Sequence, residues 1–262
     1  MGGLLARTFQ LERPDVFEQM MARPGAHILM LGTPNAGSWV PMQVLSGDDS
    51  FGNALTAFGA PFQEQSARQV MAGMPGFLQL QAALIDPARA LDASATWARL
   101  AQEDERALFR RSQWHSDPMQ RKALAWGIPP QEVLDRAVAL RRRLEQQREH
   151  ELPRYRNGLV LVAGSGESTP DGFEVTEHGL EYCELPAAGD GRVTMESVKL
   201  PGIAAWQVPC SHGRLPFHKD AFAAYLALLT EGTTELLARL ADGAPARGPG
   251  AQAAVAHVYR RP

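Results

Sequence analysis

The chain has 262 residues, 45% of them hydrophobic, and a formal net charge of -3. That length suits one large domain or two small ones with a substantial core, and the slight acidity gives no electrostatic basis for nucleic-acid binding. Two distant cysteines make no disulfide framework, and no stretch reaches the roughly 20 apolar residues of a membrane span. The N-terminus lacks a signal-peptide pattern, so the cytoplasm is the default compartment, with any leader expected upstream of Met1.

Along residues 1–12, Leu4, Leu5, Thr8, Phe9 and Leu11 form an apolar stripe at helical spacing, which Pro14 stops. A short helix over 15–21 follows. Residues 27–31 are then an apolar run bounded by Gly-Thr-Pro, the pattern of a parallel strand buried on both faces. Residues 39–153 change texture. Short helical patterns at 67–72 and 77–84 alternate with Gly and Pro breakers, and Met71, Met74, Phe77, Leu78 and Trp97 supply large apolar surface. The longest predicted helix covers 130–149, with Val133, Ala137, Leu140 and Leu144 at 4-3-4 spacing. Its Arg141-Arg142-Arg143 run reads as a solvated face rather than an anion site, since glutamates lie close by.

After Pro153 the patterns are those of strands. Residues 159–162 end in Gly164-Ser165-Gly166, and 173–176 and 180–185 form a predicted hairpin about Glu177-His178-Gly179. Residues 204–208 are the last predicted strand. An amphipathic helix over 220–229 ends at Gly232, and Thr233 or Thr234 is placed to cap a further helix reaching about Leu240. Residues 242–262 are expected to be a flexible tail, rich in Ala, Gly and Pro up to 254. The expected organisation is an α/β core at 1–38 and 154–241 with a mostly helical cap inserted at 39–153.

Two segments carry candidate chemistry. Gly189-Asp190-Gly191-Arg192-Val193 projects an aspartate from a tight turn, and Ser211-His212-Gly213 places a histidine just beyond a strand's carboxyl end. A serine hydrolase needs such a pair: the histidine takes the serine's proton, and a buried carboxylate fixes its tautomer. Singly, Asp190 also reads as a turn residue and His212 as a surface histidine. The opening Met1-Gly2-Gly3 is like the back half of a G-x-S-M-G-G nucleophile elbow, which favours reading the two together.

The sequence resembles the lecithin:cholesterol acyltransferase-like branch of α/β-hydrolases, including bacterial lipase and esterase relatives. The segments that carry the resemblance are Met1-Gly2-Gly3-Leu4-Leu5-Ala6-Arg7, Leu31-Gly32-Thr33-Pro34-Asn35-Ala36-Gly37-Ser38, Gly189-Asp190-Gly191-Arg192-Val193 and His212-Gly213-Arg214-Leu215-Pro216. The resemblance implies the C-terminal portion of an α/β-hydrolase fold acting on an acyl ester or lipid through an acyl-enzyme. His212 would be general base and then acid, Asp190 its orienter, and the Met1 amide one oxyanion donor. The cap would supply an apolar acyl pocket.

The departures are equally specific. No serine precedes Met1, no G-x-S-x-G occurs elsewhere, and Thr194 stands where relatives often have proline. The expectation is a chain broken just after its nucleophile and inactive as given; the alternative is a non-catalytic binding module built on a hydrolase half-fold. Substitutes are weak. Ser165 reads as a turn or pocket-wall residue, Cys210 as a buried strand cysteine, and His218 as a loop or cap residue. Cys183, Cys210 and His212 lack paired-ligand spacing for zinc, and Gly164-Ser165-Gly166 lacks the lysine of a P-loop. Neither metal nor cofactor is therefore expected, and oligomeric state is left open.

Overall fold

The structure, a computed structural model, describes residues 1–48, 67–111, 125–241 and 254–255; apart from Ala254–Val255, the expected tail lies outside the described residues. In chain order the elements begin with α1 (Gly2–Glu12), α2 (Pro14–Met21), β1 (Ile28–Leu31), α3 (Val40–Ser46), α4 (Ala67–Ala72), α5 (Pro75–Leu78), α6 (Ser94–Arg111) and α7 (Gln131–His150). They continue with β2 (Leu159–Ser165), β3 (Glu167–Thr176), β4 (Gly179–Gly189), α8 (Met195–Val198), β5 (Ala205–Pro209), α9 (Phe222–Thr230), β6 (Ala238–Arg239) and β7 (Ala254–Val255). The chain divides into two compact units. One comprises Met1–Ser38, Arg142–Pro170 and Glu184–Ala254; the other comprises Trp39–Arg141, Asp171–Cys183 and Val255–Pro262.

The first unit is built on a four-stranded sheet of order β1-β2-β5-β6. β1, β2 and β5 run parallel, with Leu29 opposite Val160 and Val162 opposite Trp206, whereas β6 is antiparallel to β5. Alternation along β2 explains its continuous apolar run. Leu159, Leu161 and Ala163 enter one core with Phe17, Leu152 and Val198, while Val160 and Val162 enter another with Trp206, Tyr225 and Leu228. A strand buried on both faces has no polar side to show. Helices together with a mixed parallel and antiparallel sheet place this chain in the general α/β class.

A buried arginine ties the helices of this unit to its loops. Arg7 is 1% exposed, and its guanidinium donates to Gln147 Oε1, to both the backbone and side-chain oxygens of Asn35, and to Leu144 O. Asn35 in turn donates to Val198 O at 2.7 Å. One planar fork thus joins α1, the loop after β1, and α7, and Asn35 extends the link to α8.

The second unit is largely helical, with a core that includes Trp39, Met42, Leu45, Trp97, Leu134 and Tyr182. Asp104 organises it. Its carboxylate is buried and accepts from Trp126 Nε1 and from the Leu180 amide, each at 2.9 Å.

Four expectations need correction. Residues 233–240 form no helix: residues 238–239 pair with β5 as β6, Trp206 Nε1 donates to Thr234 O, and Leu240 N donates to Ala205 O. The open edge of β5 offers backbone partners that outweigh a local cap. The helix expected over 77–84 is only Pro75–Leu78. Arg141 does not sit on a solvated face; it is 3% exposed, on the stripe that also holds Leu134, Ala137 and Leu144. Finally, the 18-residue α6 is a major helix that the pattern did not single out. Its buried face is Trp97, Leu100, Asp104 and Ala107, and an aspartate in the middle of that stripe hides the apolar period.

Replacing Asp104 with alanine strands two buried donors. The expected loss of unfolding free energy is on the order of 2–4 kcal/mol, measured by urea denaturation. A loss below ~1 kcal/mol would show that Asp104 is not the organising group of this core.

Candidate active site

The parallel strands β2 and β5 deliver their following loops to the same end of the sheet. Cys210 N, just past β5, donates to the carbonyl of Ser165, the last residue of β2, and a 3-10 turn at His212–Phe217 follows. Asp190 arrives from the end of β4 in a tight loop closed by Asp190 N to Val193 O at 3.2 Å and by a bridge between Gly189 and Thr194. Thr194 caps α8, its hydroxyl oxygen accepting from Ser197 N at 3.2 Å.

These loops bring Asp190 and His212 together. His212 Nδ1 lies 2.8 Å from Asp190 Oδ2, and the His212 amide donates to the Asp190 carbonyl at 2.9 Å. The second carboxylate oxygen, Oδ1, accepts from the amides of Arg192 (2.9 Å) and Val193 (2.7 Å). The Asp190 side chain is fully buried, whereas that of His212 is 35% exposed. A carboxylate held by three donors has one stable orientation. It makes Nδ1 the protonated nitrogen of the neutral imidazole, leaving Nε2 as a lone-pair base (a tautomer assigned from the bonding).

Two further residues build this geometry. Thr169 is wholly buried; its hydroxyl accepts from Gly191 N at 2.9 Å and donates to Glu167 O, which braces the Asp190 loop. Gly32 has φ +57° and lies against the pair: a Cβ there would sit 2.7 Å from Leu215 Cδ1 and 3.1 Å from both Asp190 Oδ2 and His212 Nδ1. Gly32 belonged to a segment singled out in the sequence, but its role as the wall of the pair is visible only in three dimensions. Nothing in the sequence marked Thr169.

Met1 precedes α1 and its carbonyl accepts from the amides of Leu4 and Leu5. The first turn of α1 approaches the loop after β1, since a Cβ on Gly3 would overlap the Thr33 side chain. The first turn of α1 therefore meets Thr33, and the adjacent Gly32 meets the Asp190–His212 pair.

Beside the pair is a cavity of about 270 Å³ whose lining includes Ser165, Glu167, Cys210, Ser211, Arg214 and His218. Ser165 ends β2, and His218 precedes the 3-10 turn Lys219–Ala221. Burial pushes the Cys210 thiol pKa upward, and its Sγ faces Ser211 O at 3.5 Å. A thiol held protonated is a poor nucleophile. Among the described residues, no group of three or more His, Cys, Asp or Glu could hold a metal ion, and no helix is long and apolar enough to cross a membrane.

Asp190→Asn should invert the His212 tautomer, because an amide can present its own N–H to Nδ1. Nitrogen NMR of the neutral imidazole is expected to show Nδ1–H in the parent and Nε2–H in the variant. The same tautomer in both proteins would refute the assigned bonding. Gly32→Ala forces a side chain into left-handed backbone and against three neighbours; it should lower stability by more than about 1 kcal/mol in denaturant melts. A neutral effect would mean that the loop is free to move away from the pair. Comparison of the chain with protein-family models, with curated proteins and with solved structures found no match in any of the three.

Proposed function

We propose that Asp190 and His212 are the acid and base of a serine acyl-ester hydrolase or acyltransferase of the α/β-hydrolase type. The observation that carries this reading is the buried Asp190 carboxylate, aimed by two backbone amides and bonded to a half-exposed His212 at 2.8 Å. A structural ion pair has no need for an exposed imidazole edge; a general base does. The chain order of acid before histidine, with the histidine on the loop after the parallel strand β5, also suits this class.

The nucleophile in this proposal is a serine directly before Met1, entering from a strand laid along β1. Two observations support that position. The first turn of α1 touches Thr33, next to the glycine that walls the pair. Among the described residues, the outer edge of β1 has no paired strand. The backbone N–H of residue 1 would then face an oxyanion. The serine would add to the ester carbonyl as His212 takes its proton. Collapse of the adduct would expel the alcohol, protonated by His212, and water or a second alcohol would release the acyl group by the reverse sequence. Water and alcohol acceptors use the same residues.

The test begins with the in-frame DNA upstream of Met1, which is expected to encode Gly-Xaa-Ser. The protein carrying that upstream segment should hydrolyse a short-chain p-nitrophenyl ester. His212→Ala should then reduce kcat by about 10³-fold or more, and His218→Ala by less than about tenfold. The opposite ranking would show that the wrong histidine has been assigned. An inactive protein with the serine present would remove the proposal in favour of a binding module.

A further inference from the structure

Residues 31–38 supply the Asp190–His212 pair with more than the wall at Gly32. Ser38, at the end of this segment, is buried, and its hydroxyl donates to the Arg192 carbonyl at 2.6 Å. That carbonyl and the Val193 N–H belong to one trans peptide and point to opposite sides of it. The Val193 N–H is the closer of the two amides on Asp190, at 2.7 Å from Oδ1 against 2.9 Å for Arg192. Ser38 and Asp190 therefore grip the same peptide from its two sides. A donor on the carbonyl polarises a peptide and makes its N–H a stronger donor.

The direction of this chain of hydrogen bonds separates Ser38 from the other hydroxyl near the acid. The Asp190–Gly191 peptide accepts from the His212 amide at 2.9 Å and donates through Gly191 N to Thr169 Oγ1 at 2.9 Å. Thr169 thus receives a chain that leaves the acid, and it acts on the path of the loop. The chain from Ser38 runs the other way, through the Arg192–Val193 peptide into Oδ1, while Oδ2 faces His212 Nδ1 at 2.8 Å. Ser197 gives a second contrast: its hydroxyl donates to the carbonyl of Gly37, within residues 31–38, and not to the Asp190 loop.

We infer that Ser38 is a positioning residue for the acid of the proposed reaction. Through the Arg192–Val193 peptide it strengthens the hold on Asp190 Oδ1 and so keeps Oδ2 aimed at His212 Nδ1. Holding one carboxylate oxygen fixes the rotation of the group, and with it the bond that sets the imidazole tautomer. The catalytic consequence rests on the reading of Asp190 and His212 as acid and base; the hold itself does not.

Proton NMR of the chain tests the hold without a nucleophile. Ser38→Ala is expected to move the Val193 amide proton upfield and to speed exchange of the His212 Nδ1 proton with water several-fold, up to about tenfold. Ser38→Cys, close in size but a weak donor, should move both signals the same way, and it decides the matter where the alanine variant does not fold. Ser197→Ala removes a comparably buried hydroxyl and should leave both signals near their parent values. In the protein that carries the segment upstream of Met1, Ser38→Ala should lower kcat for a short-chain p-nitrophenyl ester by about tenfold with KM unchanged. Signals unmoved by the Ser38 substitutions, or moved as far by Ser197→Ala, would overturn the inference, as would an unchanged kcat in an active enzyme. If the parent with its serine shows no esterase activity, the acyl-transfer reading falls, and the NMR signals still decide whether Ser38 holds Asp190.

Discussion

The first unit is organised around the buried side chain of Asp190. The Asp190 side chain is removed from water, and three donors are pre-aimed at its oxygens: two backbone amides from its own loop and the ring of His212. Burying such a group without those partners would be costly. Much of the surrounding structure follows from this requirement. The loop closes through Val193, Thr169 holds Gly191, and residue 32 has no side chain because the two functional groups already fill that space. The pair is thus a packing constraint as much as a chemical one. That is why it touches loops from three separate strands.

What the sequence could show was whatever is written locally. The apolar runs at β1, β2 and β5 carry their own signature, because strands buried on both faces lack polar positions. α7 is equally readable, being long and periodic. The pairing of Asp190 with His212 was accessible only through motif order, and Thr169 through nothing at all, since it holds the loop through a hydrogen bond from a residue 22 positions away. The failures share a cause. Asp104 masked α6 because a buried carboxylate satisfied by Trp126 and Leu180 looks, in sequence, like a solvent-facing one. Residues after Thr234 were drawn out of a locally plausible helix by the free edge of β5. In both cases tertiary partners decided what local propensity could not.

Arg7 illustrates the same limit from the opposite side. In the sequence it is one charged residue in an amphipathic helix; in the structure it is almost wholly buried and donates to oxygens on Asn35, Leu144 and Gln147. Its consequence is mechanical. The loop that begins at Gly32 is gripped at Asn35 by Arg7, Asn35 grips Val198, and Ser197 bonds Gly37. Ser38 then donates to Arg192 O within the Asp190 loop. A continuous set of hydrogen bonds therefore runs from α1 to the acid, so a displacement of α1 is resisted by the loop that carries Asp190. Precision in a proton-transfer pair depends on such supports, because a shift of a few tenths of an ångström alters the bond that fixes the tautomer.

The two edges of the sheet are treated differently, and the difference bears on the proposed chemistry. At one edge β6 covers β5 with a short antiparallel strand, reinforced by Trp206 and Leu240. At the other, β1 is only half-buried, and the helices packed against it leave Leu5 at 71%, Leu226 at 63% and Leu229 at 44% exposure. Single exposed apolar residues are ordinary; several lie here on helices flanking an edge that has no paired strand among the described residues, and the proposed reading has a further strand cover them. In the proposed reading that strand leads into the serine, so the same polypeptide would bury the apolar flank and bring the nucleophile to His212. Sheet completion and assembly of the reacting groups would then be one event, and catalytic competence would track the pairing of β1.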